Sequence, residues 1–64
     1  MPTNTELVIE TLRRSPGLDD SQLARQAGVD PREVERICRY LEILGRVRRT
    51  RGPDGKITNT LIDA

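Results

Sequence analysis

The stretch DPREVERICRYLEILG, residues 30–45, carries the start and stop signals of one helix. Asp30 offers a side-chain acceptor to the free amides of a first turn, Pro31 suits the first helical position, and Glu33 completes a capping-box pattern. Gly45 supplies the left-handed residue that ends a helix. Between these signals Val34, Ile37, Cys38, Leu41 and Leu44 recur at spacings of three and four, so they share one face at about 100° per residue. Arg32, Arg36 and Arg39 wind onto the opposite face. The spacing predicts a helix over about residues 31–44, with a core-facing apolar stripe and an outward stripe of arginine.

Upstream, the sequence places two shorter helices before this one. Thr3-Asn4-Thr5-Glu6 is a capping box ahead of Leu7, Val8, Ile9 and Leu12, which predicts a helix over about residues 4–15. Ser15-Pro16-Gly17 breaks it, because proline disfavours helical geometry in the residue before it and glycine permits a reversal. Leu18 follows as a short extended anchor. Asp19 and Gln22 repeat the capping pattern, and Leu23, Ala24 and Ala27 give an apolar face to a helix over about residues 20–27. Gly28 and Val29 leave only a tight turn before Asp30, so the second and third helices meet at a steep angle. Two alanines allow close approach there, and Val29 fills the space beneath the turn.

Downstream of Gly45 the periodicity changes, and residues 46–62 read as a β-hairpin. Gly52-Pro53-Asp54-Gly55 has proline at the second turn position and glycine at the fourth, the chemistry of a type I turn closed by a left-handed glycine. Thr50, Thr58 and Thr60 favour strands. Arg46, Arg48, Arg49 and Arg51 on one arm and Lys56 on the other make the hairpin the most basic part of the chain.

The totals limit what such an arrangement does. The 64 residues make a single domain, 1–64, near the lower size at which one core holds a fold without metal or disulfide support. With no Phe, no Trp and one Tyr, the interior is built from Leu, Ile, Val and Ala. A single Cys and no His exclude both an internal disulfide and a zinc site of the usual ligand type. The net charge of +1 conceals a division. Residues 1–31 hold three arginines against five acids, whereas residues 32–56 hold eight basic residues against four acids. No apolar run approaches the roughly 20 residues of a membrane span, and no signal-peptide pattern opens the chain, which points to the cytoplasm. No nucleophile and base, glycine-rich phosphate loop or paired carboxylates stand together, so an enzyme is not expected, nor are a cofactor, a metal or a small-molecule substrate. Cys38 lies on the apolar stripe and reads as a small buried hydrophobe.

The order of three helices and a basic hairpin, mainly α with a small β component, resembles the winged helix-turn-helix family over nearly the whole chain. SQLARQAGVD, residues 21–30, is similar to the family's second helix and turn. VERICRYLEILGRVRR, residues 34–49, is similar to its recognition helix and the start of its wing. The resemblance is strongest to small bacterial or phage transcription regulators. It implies sequence-specific binding of double-stranded DNA on the nucleoid, with the third helix in the major groove. Arg32 and Arg36 would then read guanine through its O6 and N7 acceptors, Arg39 would flank them, and Glu35 would accept from cytosine N4. Arg48, Arg49, Arg51 and Lys56 would lie along phosphates or enter the minor groove.

Other readings compete with this one. The arginine stripe is also a solvated face with Glu35 and Glu42 as weak ion-pair partners, and wing charge also protects an edge strand from aggregation. A protein-interaction module and the DNA-binding domain of a larger DNA-processing protein share the same fold. The departures from a DNA-binding pattern are Asp20 and Glu35, which no helix cap explains, and Ile43, apolar on the exposed face. Tyr40 is expected against the wing or the first helix. A homodimer, through the first helix or Ile43, or a larger host protein would extend the limited surface of one module.

Overall fold

The computed structural model describes residues 1–62. Its elements are α1 (Asn4–Arg14), β1 (Leu18–Asp19), α2 (Asp20–Ala27), α3 (Pro31–Ile43), β2 (Val47–Arg51) and β3 (Ile57–Leu61). The strands form one antiparallel sheet in the order β1-β3-β2. The hairpin is therefore anchored through β3 to the link between α1 and α2: Leu18 pairs with Asn59, and the Gly17 amide donates to the Asn59 carbonyl at 2.9 Å.

Each helix starts where a side chain replaces the missing backbone partners of the first turn. Thr3 with Glu6, and Asp19 with Gln22, form complete reciprocal capping boxes. Asp30 behaves differently. Its carboxylate accepts from the Arg32 amide at 2.8 Å, one residue earlier than a box requires, and Glu33 turns instead to Arg36 at 3.6 Å. The capping box expected at Glu33 is thus replaced by an exposed ion pair within the helix.

The turn between α2 and α3 depends on Gly28, whose φ of +71° carries the chain out of α2 while the Gly28 and Val29 amides both donate to the Ala24 carbonyl. Val29 is buried under this turn. The end of α3 is a Schellman motif: the Gly45 amide donates to Glu42 and the Arg46 amide to Leu41, with Gly45 at φ +76°. Leu44 caps this helix and is half exposed, so the apolar stripe ends at Leu41 and Val47 fills the core beyond it.

The core consists of Val8, Leu12, Leu23, Ala24, Val29, Val34, Ile37, Cys38, Leu41 and Val47, with Leu7, Ile9, Leu18, Ala27 and Leu61 partly buried at its edge. Each fully buried Leu, Ile or Val contributes about 1.5–3 kcal/mol, so few side chains carry the fold. Only the root of the hairpin joins this core. Val47 faces Leu61 across the strands, and two residues further out the same face carries Arg49 opposite Asn59.

Candidate nucleic-acid interface

The Gly28 turn sets α3 so that its apolar stripe lies on α1, α2 and the sheet while its other face meets solvent. Arg32, Glu35, Arg36 and Arg39 are all exposed there, and with Tyr40 and Ile43 they line one shallow groove along the helix. Arg36 is 82% exposed, and its contact with Glu33 at 3.6 Å is a surface pair of little energetic weight. This face presents three guanidinium groups with Glu35 among them and Glu33 at its margin. Tyr40, expected against the wing or the first helix, is 57% exposed and lines this groove, because it falls outside the stripe formed by Ile37, Cys38 and Leu41. Ile43 is 83% exposed at the far end of the same groove.

The hairpin projects a second group of cations. The Gly55 amide donates to the Gly52 carbonyl at 3.0 Å, Gly55 takes φ +84°, and the Gly52 amide donates to Lys56 at 2.8 Å, which closes the turn. Arg51 and Lys56 flank it, both exposed, and Lys56 Nζ leans to within 4.0 Å of Asp19 Oδ2. Arg48 is exposed on the opposite face of β2.

Arg49 does not belong to this exposed set. Its side chain is only 6% exposed, with Nη1 and Nη2 each donating to Asp20 at 3.1 Å and Nη1 also donating to Asn59 Oδ1 at 2.9 Å. The expectation that Arg49 lies along phosphate is corrected by this geometry: the β alternation that turns Val47 into the core turns Arg49 inward as well. Asn59 is fully buried and completes the arrangement, its Nδ2 donating to the Asp20 carboxylate at 2.8 Å and to the Leu18 carbonyl at 3.1 Å. Asp20, unexplained by capping, is thereby accounted for as the counter-ion of Arg49. No buried side-chain nitrogen or oxygen among the described residues lacks a hydrogen-bond partner.

The electrostatics follow from the burial. Burial acts against the Arg49 charge, but the hydrogen bonds and charge of Asp20 outweigh it and raise the guanidinium pKa further. Cys38 lies close by on α3. Burial first, and the Asp20 carboxylate second, push its thiol up to about 11 despite the opposing influence of Arg49. The thiol is therefore neutral and inward-facing, the environment of an unreactive cysteine.

No family model matches the chain, and no curated protein matches it in sequence. Solved structures do match in fold. The PcaV transcriptional regulator from Streptomyces coelicolor, in complex with its natural ligand, superposes with a TM-score of 0.88 at 23% identity, over 98% of this chain and 46% of that one. The YusO protein from Bacillus subtilis gives 0.86 at 23% identity over 98% and 46%. The transcriptional regulator PA4135 gives 0.84 at 26% identity over 97% and 47%. The chain spans about half the length of these proteins, and its fold is the winged helix-turn-helix.

Proposed function

We propose that this chain binds double-stranded DNA with sequence preference and regulates transcription by occupying its site, without chemistry of its own. The observation that carries the proposal is the outer face of α3, where a helix-turn-helix delivers Arg32, Arg36 and Arg39 together and unburied. The likeness to solved transcriptional regulators supports the same reading. α3 enters the major groove, where the guanidinium forks of Arg32 and Arg36 match guanine O6 and N7 and Arg39 flanks them. Glu35 accepts from cytosine N4 on the same face. Arg48, Arg51 and Lys56 supply phosphate or minor-groove contacts from the hairpin. The protein acts in the cytoplasm, on the nucleoid, in a bacterium or a phage-infected cell.

One module of this size covers roughly 600–1,000 Å² of protein surface on DNA, so tight specific binding calls for a homodimer or for attachment to a longer protein. A second reading, a module that recruits a protein partner, is favoured by a different observation: Tyr40 and Ile43 expose apolar surface in the same groove as the arginines. Binding of a random duplex pool at low salt, followed by selection, separates the two. Under the DNA reading a sequence preference emerges, and Arg36→Ala weakens binding and relaxes the preference at one base pair, by roughly 1–3 kcal/mol. Absence of duplex binding at low salt overturns the DNA reading and leaves the partner-recruiting one.

A further inference from the structure

The apolar core holds the hairpin only at its root, through Val47 and Leu61, yet the exposed cations Arg51 and Lys56 stand at its tip. Between root and tip lies the largely buried set of Asp20, Arg49 and Asn59, Asp20 at its solvent edge, with one member on each of α2, β2 and β3. β3 is already held to the body by its pairing with β1 at Leu18 and Asp19, whereas β2 is the edge strand of the sheet, and its twist against the helices is left to its side chains. Here the Arg49 guanidinium binds both Asp20 oxygens in a planar, two-point contact, and Asn59 bonds Arg49, Asp20 and the Leu18 carbonyl at once. A two-point guanidinium–carboxylate pair fixes orientation as well as distance. Asp20 is the first residue of the helix that packs behind α3, so the same contact that holds the ribbon ties its angle to the helix-turn-helix.

We propose that Asp20 and Arg49 are positioning residues for DNA binding: without touching DNA, their pairing with Asn59 sets the angle of the hairpin against α3, so that the tip cations reach the backbone while α3 occupies the groove. This rests on the DNA reading above and assigns a function to an acidic residue that simple charge counting sets against it. Rigidity matters because a floating ribbon loses configurational freedom on binding, whereas a fixed one does not.

Arg49→Ala alone leaves a partly buried carboxylate without its cation and the buried Asn59 Oδ1 without a donor, and is a poor test, since loss of stability mimics loss of positioning. The informative variant is the apolar pair Asp20→Leu with Arg49→Met, made together with Asn59→Leu so that no buried amide is left unpaired, which removes both charges and roughly retains volume. Circular dichroism and thermal melting verify its fold. Binding of the full chain to a 20-base-pair duplex drawn from the selected pool is then measured across salt, with and without Arg51→Ala and Lys56→Ala. In the parent chain those two tip substitutions together lower the slope of log affinity against log salt by about 1.8, at about 0.9 per phosphate. In the apolar pair the slope is already lower by about that amount, affinity is down by about tenfold, and the tip substitutions change nothing further. An apolar pair that binds with the parent slope, and in which the tip substitutions keep their full effect, overturns the positioning role while the DNA reading stands. A parent chain that does not bind the duplex overturns both.

Discussion

Arg49 shows how far one side chain can depart from the charge run that contains it. In RVRRTR every arginine invites the same solvent-facing interpretation, but Val47 must enter the core, and strand alternation then sends Arg49 inward and Arg48 out. That parity was available in the sequence. The identity of the counter-ion was not, because Asp20 lies 29 positions away, and Asn59 gives no sign of burial among threonines until the GPDG turn fixes it opposite Arg49. The energetic consequence is large. Removing Arg49 leaves the partly buried Asp20 without its cation and the buried Asn59 Oδ1 without its donor, so Arg49→Ala should lower stability by about 1–3 kcal/mol in urea unfolding, whereas Arg48→Ala should stay within about 0.5 kcal/mol. Equal, small losses for the two would contradict the inward placement. Cys38 gives a second test at this scale. Its thiol ionises near 9.0 when unconstrained and about 11 in the folded chain, so the folded state keeps a proton that the unfolded chain gives up. The resulting stability is complete below pH 9, falls as pH rises to 11, and is gone above that. The parent should lose roughly 2–3 kcal/mol more than Cys38→Ala over this interval.

At the level of elements, the three helices and the hairpin were readable because each end carries its own chemistry. Thr3, Asp19 and Asp30 accept from first-turn amides, and Gly28, Gly45 and Gly55 take the left-handed conformations that end α2, end α3 and close the hairpin turn. What the local signals left out is tertiary. β1 is two residues long and exists only because β3 pairs with it, and Leu44 fits the helical period but lies beyond the point where Gly45 and Arg46 turn the chain away. The Gly28 turn orients the candidate interface, so its strain is the element-scale test. No atom stands within 4 Å of an added Cβ at Gly28, so steric contact is not the issue, but φ +71° is costly for alanine. Gly28→Ala should cost about 1–2 kcal/mol, a fall in Tm of roughly 4–8 °C per kcal/mol, and Gly28→Asn should cost clearly less because asparagine tolerates that conformation. Alanine and asparagine with identical melting temperatures would show that the turn relaxes out of the left-handed region.

Across the whole molecule, charge is arranged and not merely summed. A net charge of +1 says little about partners, but the three arginines of α3 and the three exposed cations of the hairpin beyond Val47, Arg48, Arg51 and Lys56, all come from the basic half of the chain. Burial of Arg49 removes one cation from that outward set and neutralises Asp20, an acid that otherwise weakens it. The direct measurement is equilibrium binding of the chain to a double-stranded DNA pool across a salt series. With up to six exposed cations available to phosphate and base, log affinity should fall linearly with log salt, at a slope of about −3 to −5. A flat salt dependence, or no duplex binding at low salt, would contradict the DNA-binding account.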